Sequence, residues 1–149
     1  MATTWAFKHF DSLTPKELQA AHILRQKVFI VEQNCPYLDA DERDMTAWHL
    51  LGWQNGQLVA TCRVTAPGTR FPEWSIGRVV TGLEARRTGV GREMMTVVLK
   101  EIENQMGRVR LRISAQAYLQ KFYESFGFRV VRGPYPEDDI PHFEMLREP

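Results

Sequence analysis

The chain has 149 residues, of which 44% are apolar and 25% are charged, a composition that suits one compact domain with a full core. Its 19 basic and 18 acidic residues nearly balance, which argues against a broad basic surface of the kind that binds nucleic acid. Its apolar runs are too short to cross a bilayer. We therefore predict a single domain over residues 1–149 with no nucleic-acid or membrane partner.

The cellular location and the metal content follow from the same survey. Residues 1–10 lack the basic flank and apolar core of a signal peptide, so we predict a cytoplasmic protein in which Cys35 and Cys62 stay reduced. The four histidines are scattered, and no cysteine or histidine pair has the spacing of zinc ligands. We predict no metal site.

The first part of the chain predicts a strand, a helix and an acidic loop. Residues 5–10 alternate loosely and predict the strand. Thr14, Pro15 and Glu17 supply an N-cap, a proline at the first helical position and a capping-box glutamate. They predict a helix from about Pro15 to Phe29. We interpret the acidic residues 39–44 as a solvated loop rather than as a device that attracts a cationic amine.

The middle of the chain predicts a hairpin, a strand and a long helix. Residues 49–53 and 58–65 flank the turn sequence Asn55-Gly56, a pattern typical of a β-hairpin. Residues 76–81 predict a strand. Residues 93–106 carry apolar side chains at helical spacing and end before Gly107, so they predict a helix.

The last third predicts three strands and a short helix. The strands are residues 109–114, 128–132 and 143–146, the helix is residues 117–126, and residues 134–141 are expected to be a loop. We expect the final strand to lie at a sheet edge, from which it could pair between subunits of a homodimer. The order of elements predicts an α/β fold with a mixed sheet covered by helices.

A glycine loop joins the strand of residues 76–81 to the long helix. Gly89 and Gly91 let the backbone approach a ligand closely, and the free amides at a helix start attract phosphate groups. The loop is not a P-loop, and the dinucleotide fingerprint would need a third glycine where Met94 stands. By itself the pattern is equally typical of a tight turn with solvated arginines.

Wider similarity favours a ligand site. The loop resembles the pyrophosphate-binding motif of the GNAT superfamily of acyl-CoA-dependent N-acetyltransferases. Four further strings are similar to the ElaA-like branch of that superfamily, namely residues 28–37, 76–79, 115–128 and 140–142. The resemblance implies a GNAT fold, with a mixed, mostly antiparallel sheet of about six or seven strands and about four helices. It also implies that the fourth and fifth strands, residues 76–81 and 109–114, splay apart.

The resemblance implies acetyl-CoA as cosubstrate, with its pantetheine arm lying between the splayed strands as a pseudo-strand. The implied cofactor-binding residues are Val79, Val80, Thr81, Arg86, Arg87, Thr88, Gly89, Val90, Gly91, Arg92, Gln116 and Phe122. The sequence departs from the common family pattern at Arg87, where glycine is frequent, at Gln116, where asparagine is frequent, and at Leu119, where alanine is frequent.

Two residues are candidates for proton transfer. The family places a tyrosine at the position of Tyr123, and a phenol with a pKa of about 10 can protonate a leaving thiolate. The alternative role of Tyr123 is packing beside Leu119 and Phe122. Glu32 is the candidate base for the amine, and its alternative role is an ion pair with Arg25 or Arg78.

Four residues are predicted to contact the acceptor: Arg78, Tyr37, His49 and His142. We expect Arg78 to organise Glu32 or the acceptor, because a charge beside the cleft must be paired. The two histidines have a suitable ordinary pKa for a base, although such histidines are more often structural. The expected acceptor is a small-molecule or peptide amine.

Three functions remain open at this level. The first is transfer of an acetyl group from acetyl-CoA to a primary amine by direct attack, without an acyl-enzyme. The second is a non-catalytic module that senses acyl-CoA. The third is an acyl-homoserine-lactone-synthase type of acyltransferase, which the chain resembles in Arg25, Val28, Phe29 and Glu32.

Overall fold

The computed structural model describes residues 2–149. Its strands and α-helices follow in the order β1 (Thr4–His9), α1 (Pro15–Arg25), β2 (Trp48–Gln54), β3 (Gln57–Thr65), β4 (Ser75–Thr81), α2 (Val90–Met106), β5 (Leu111–Gln116), α3 (Gln120–Glu124), β6 (Arg129–Glu137) and β7 (Ile140–Arg147). Within residues 2–149, none of the helices has the length and hydropathy needed to span a membrane.

The strands form two antiparallel sheets that meet at one point. The first sheet has the order β1-β2-β3-β4 and the second has the order β5-β7-β6. A parallel bridge joins Trp74 to Leu111, and Arg112 N donates to Trp74 O at 2.9 Å. Beyond this bridge β4 and β5 diverge as the facing edge strands of their sheets. The predicted α/β fold with a split between the fourth and fifth strands is thereby confirmed.

Helix α1 begins as the sequence predicts and ends later. Glu17 N donates to Thr14 Oγ1 at 3.1 Å, and Thr14 N donates to Glu17 Oε1 at 2.8 Å, which completes the capping box. After Arg25 the backbone widens into a π-helix over Gln26–Glu32, so the helical segment passes the predicted end at Phe29. Such π-turns are frequent at functional sites, and this one supplies part of the wall of the cleft described below.

The C-terminal region contains the main errors of the sequence prediction. Residues 134–141 are not a loop, because Tyr135, Pro136 and Glu137 of β6 pair with His142, Pro141 and Ile140 of β7. The prolines suggested a loop, but β6 is an edge strand, where a missing amide is tolerated. The expectation that the last strand lies at an edge was also wrong, because β7 is the middle strand of its sheet. The described residues form three α-helices rather than about four.

Helix α2 closes the core between the two sheets. Met94, Val98 and Ile102 share its inner face and are at most 2% exposed. They belong to one buried cluster with residues of both sheets, including Leu50 and Met145. Burial of this apolar face is the main stabilising contribution of the helix, and it fixes where the start of α2 lies relative to the divergent strands.

Candidate active site

A cleft of about 530 Å³ opens where β4 and β5 diverge, and this volume is typical of small-ligand sites. Val79, Val80 and Thr81 line one wall, and Ser114 and Gln116 line the other. Both walls are edge strands, so their backbone amides and carbonyls are suited to pair with an extended polar ligand.

A bulge in β4 shapes the first wall. Thr61 pairs with Val80 whereas Arg63 pairs with Gly77, so β4 has one residue more than β3 over this stretch. Arg78 adopts a left-handed φ of 50°, which is unfavourable for a residue with a side chain. Bulges bend a strand and re-aim its groups, and here the bend lies in the wall of the cleft.

The glycine loop lies at one end of the cleft. Gly89 is the N-cap of the 17-residue helix α2 and has a φ of 88°. A Cβ added at Gly89 would meet no atom within 4 Å, so the space beside the first amides of α2 is open. Arg86 and Gly91 line the cleft itself. The loop therefore places an anion-attracting helix start beside the cleft.

The other predicted loop residues have different surroundings. Arg87 is exposed, and the Thr88 hydroxyl donates to Ala85 O. Val90 is buried. The Arg92 guanidinium lies 4.9 Å from the centroid of the Phe126 ring and donates to Ser125 Oγ at 2.9 Å. Arg92 thus interacts with the α3 region, and Arg87 is the freer charge at the turn.

Glu32 forms a two-point ion pair with Arg86, and both residues line the cleft. Its carboxylate accepts from both terminal nitrogens of Arg86 at 2.7 Å, and these hydrogen bonds lower the pKa of Glu32. A carboxylate held in this way is a weak proton acceptor, which disfavours the predicted role of Glu32 as base. The expected alternative partners, Arg25 and Arg78, were also wrong, because the partner is Arg86.

Tyr123 of α3 lines the cleft and is only 5% exposed. Burial raises the pKa of its hydroxyl, so this group stays protonated at neutral pH. Its ring packs edge-on against Phe122 and Phe128 with centroid distances of 5.1 and 5.9 Å. Packing and access to the cleft therefore coexist, which is the arrangement that a positioned proton donor requires. Gln116 and Phe122 also line the cleft.

We had interpreted the acidic residues 39–44 as a solvated loop, and this interpretation was wrong. Asp39 and Asp44 are 5% and 3% exposed. Buried Arg25 donates to Asp39 Oδ2 at 2.8 Å and to Asp44 Oδ1 at 2.9 Å. Arg63 donates to Asp44 Oδ1 at 2.8 Å. The arginines neutralise the acidic stretch, so it offers little net charge to attract a cationic amine.

Arg78 and Tyr37 connect this buried network to the cleft. Arg78 Nε lies 3.0 Å from Asp39 Oδ1, and its guanidinium lies 5.4 Å from the centroid of the Tyr37 ring. The Tyr37 hydroxyl donates to the same carboxylate oxygen at 2.8 Å. Both residues line the cleft. Arg78 therefore organises the loop of Tyr37 and Asp39. Of its two expected roles, the pairing with Glu32 was wrong, and the contact with the acceptor stays a prediction.

Of the two histidines predicted to contact the acceptor, only one lines the cleft. His142 lines the cleft. His49 was wrongly predicted to contact the acceptor: it is 1% exposed, its Nε2 lies 2.9 Å from Asp44 O, and its ring packs near Phe10.

Glu137 and Ser114 also line the cleft but were not predicted from the sequence. Glu137 fell within the predicted loop, and a single serine near the end of a strand carries no sequence signal.

The sequence and the fold match known proteins. Residues 19–148 match the family model of the acetyltransferase (GNAT) domain. Protein ElaA of Escherichia coli is 40% identical over 146 residues, which cover 97% of this chain and 95% of that protein. A UPF0039 protein of Synechocystis sp. is 41% identical over 147 residues, which cover 98% and 96%.

Solved structures agree with the sequence comparison. An acyl-CoA N-acyltransferase from Pseudomonas aeruginosa superposes with a TM-score of 0.93 at 41% identity, covering 98% of this chain and 99% of that one. The crystal structure of E. coli ElaA gives a TM-score of 0.93 at 39% identity, covering 99% and 100%. The acyl-homoserine-lactone synthase LasI shares the fold, at 17% identity and a TM-score of 0.79. The split α/β architecture is a GNAT fold, and the chain belongs to the GNAT acetyltransferase domain family.

Proposed function

We propose that the protein transfers an acetyl group from acetyl-CoA to a primary amine by direct attack, without an acyl-enzyme. The observation that carries the proposal is the cleft between two divergent strand edges, which runs to the open start of α2 and has Tyr123 in its wall. The edge of β4 at Val79, Val80 and Thr81 suits the amides of the pantetheine arm. The amides of Gly89 to Gly91 suit the pyrophosphate.

The chemistry of the cleft fits acyl transfer to nitrogen. Such a reaction needs a donor to the thioester carbonyl and a proton for the leaving thiolate. We assign the first role to a backbone amide near Val79 or Val80, where the bulge re-aims the strand, and the second to the Tyr123 hydroxyl. Cys35 lines the cleft, but burial and the nearby Asp138 and Asp139 raise the pKa of its thiol. That environment opposes a thiolate nucleophile and supports direct transfer.

A turnover assay tests the function. The purified protein is incubated with acetyl-CoA and each of five primary amines: a tripeptide with a free N-terminus, Nα-acetyl-lysine amide, spermidine, glucosamine and tyramine. We expect release of the CoA thiol with at least one amine, and mass spectrometry should show that amine carrying one acetyl group. Binding of acetyl-CoA without transfer to any amine would instead favour the sensor function.

Gly89→Val should raise the Kd for acetyl-CoA by at least about tenfold. The valine side chain would enter the open space beside the backbone amides that we propose bind the pyrophosphate, and the loss of one charge-assisted hydrogen bond costs about 1.5–3 kcal/mol. Equilibrium dialysis with labelled acetyl-CoA measures this Kd.

Gly107→Val is a matched control for that substitution. Gly107 caps the other end of α2, has a φ of 86°, and likewise has no atom within 4 Å of an added Cβ. Both substitutions place a side chain at a positive φ. The backbone strain is greater at Gly107, whose ψ of -167° lies in a region that is essentially restricted to glycine, than at Gly89, whose ψ is 0°, but only Gly89 lies beside the cleft. Equal loss of affinity in the two variants would remove the glycine loop from the cofactor site.

Other expectations stay predictions from the sequence: the cytoplasmic location, the lack of a metal and of nucleic-acid and membrane partners, and a possible homodimer.

A further inference from the structure

We propose that His142 accepts the proton of the acceptor's ammonium group and that Glu137 stabilises the imidazolium that results. This inference rests on the proposed function. It assigns the role of general base to His142, because Glu32 is held in an ion pair with Arg86. It also gives the acceptor a chemical class, a primary alkylamine that arrives as a cation.

His142 is positioned in the wall of the cleft. His142 lies in β7, the middle strand of its sheet, and is in register with Gln116 of β5 and Tyr135 of β6. Directly opposed residues of antiparallel strands share a face, so these three side chains form a row. The His142 side chain is only 10% exposed and lines the cleft. No other histidine of residues 2–149 lines it.

A backbone carbonyl fixes the tautomer of the neutral His142 ring. His142 Nδ1 lies 2.7 Å from Ile140 O. A carbonyl oxygen can only accept a hydrogen bond, so Nδ1 carries the hydrogen. In the neutral ring, Nε2 is then left with its lone pair, which is the form that a base needs.

A carboxylate lies beside Nε2 of His142. Glu137 Oε2 lies 3.4 Å from His142 Nε2, and Glu137 Oε1 accepts from Arg70 at 2.8 Å. The ion pair with Arg70 fixes the carboxylate while its second oxygen remains beside the ring. A carboxylate at this distance is placed to interact with the positive charge that the ring gains when it accepts a proton.

The remaining neighbours complete the polar surroundings of the ring. Tyr135 stacks on His142 with centroids 6.2 Å apart and an interplanar angle of 29°, and its hydroxyl lies 2.5 Å from Ser114 Oγ. Asp138 lines the same end of the cleft. Glu144, two residues beyond His142, is already paired with Arg112 and Arg132. The nearby cations are thus each held by a carboxylate, and this end of the cleft suits an ammonium group.

The proton balance is complete with the groups named. Two protons leave the acceptor nitrogen: the first passes to His142 Nε2 before attack, and the second leaves as the C–N bond forms and the C–S bond breaks. Tyr123 gives its proton to the departing sulfur and is reprotonated by the second proton through solvent. The imidazolium returns the first proton to solvent, so one proton is released per amide formed.

The test measures kcat/KM against pH for His142→Gln, using acetyl-CoA and the most reactive alkylamine of the panel. We expect a loss of about 10²-fold near pH 7. The loss should shrink as the pH rises towards the amine's own pKa of about 10, because more of the amine is then neutral. The Kd for acetyl-CoA should stay unchanged.

His9→Gln, outside the cleft, should leave the whole profile unchanged. Glu137→Gln should lower kcat/KM about tenfold near pH 7, with a smaller effect at high pH.

A second readout needs no turnover. Nitrogen NMR of the histidine-labelled protein should show the neutral His142 ring protonated at Nδ1, with the signal identified by its loss in His142→Gln. A neutral ring protonated at Nε2, or a His142→Gln profile equal to wild type at every pH, would overturn the inference while leaving the proposed function standing. Failure of wild type to acetylate any amine would overturn both.

Discussion

Replacing Tyr123 with phenylalanine should lower kcat by about 10²-fold or more and leave the Kd for acetyl-CoA nearly unchanged. The substitution removes one oxygen and keeps the ring contacts with Phe122 and Phe128, so the fold should persist. Because burial raises the pKa of the Tyr123 hydroxyl, this proton donor stays protonated throughout the neutral pH range. No loss of activity from its deprotonation is expected below the ordinary phenol pKa of about 10.

Single-turnover and steady-state kinetics of Tyr123→Phe measure this effect. Tyr118→Phe provides the comparison, because Tyr118 also lines the cleft but is 76% exposed. A larger loss in Tyr118→Phe than in Tyr123→Phe would move the donor role to Tyr118. Unchanged kcat in Tyr123→Phe would leave that residue a packing role alone.

Replacing Arg25 with methionine should lower the free energy of unfolding by about 3–5 kcal/mol, because it leaves two buried carboxylates short of a partner. Arg25 is 1% exposed and binds Asp39 and Asp44, as well as Asp39 O at 2.9 Å. Arg63 and Arg78 still contact these acids, so the cost should lie towards the lower end of the range. The same network holds Tyr37 at the cleft, and acceptor KM should rise as well.

Urea unfolding of Arg25→Met measures the change through the midpoint at constant slope. Arg110→Met is the matched control: Arg110 pairs with Glu148 at 2.9 Å, but the two side chains are 54% and 44% exposed, so the loss should be below about 1 kcal/mol. Equal midpoints for the two variants would contradict a stabilising role of the buried network.

The network also predicts how wild type responds to acid. Hydrogen bonds from Arg25 and Arg63 outweigh burial and lower the pKa of Asp44 to about 2. The folded state thus binds the Asp44 proton more weakly than the unfolded chain, whose aspartates have a pKa of about 3.9. This contribution to stability is present above that pH and is lost as the pH falls towards 2. Urea midpoints measured from pH 6 to pH 2 should decline accordingly.

Local signals were read correctly from the sequence. Thr14, Pro15 and Glu17 define the start of α1 within four residues, and Asn55-Gly56 defines the β2–β3 turn. Gly89 and Gly91 were read as a glycine loop that leads into α2 because residues without a side chain let a ligand approach closely, although the helix begins at Val90 rather than at residue 93. These features depend on neighbours in the chain, so residue order alone specifies them.

Long-range pairings could not be read in the same way. The partner of Glu32 is Arg86, which lies 54 residues away, and the partners of the acidic stretch come from α1, β3 and β4. A charge run is typical of a solvated loop until the arginines that bury it are located. Because of Pro134 and Pro136, the edge strand β6 was predicted as a loop. The positions of Glu137 and of the row of side chains that includes His142 could therefore not be predicted.

Calorimetric titration of the purified protein with acetyl-CoA, with ATP and NAD as controls, tests the central claim most directly. The account predicts one site per chain with a Kd in the micromolar range, and no comparable heat from ATP or NAD. Absence of acetyl-CoA binding by the folded protein would contradict the account and would mean that this chain keeps the GNAT fold without its cofactor site.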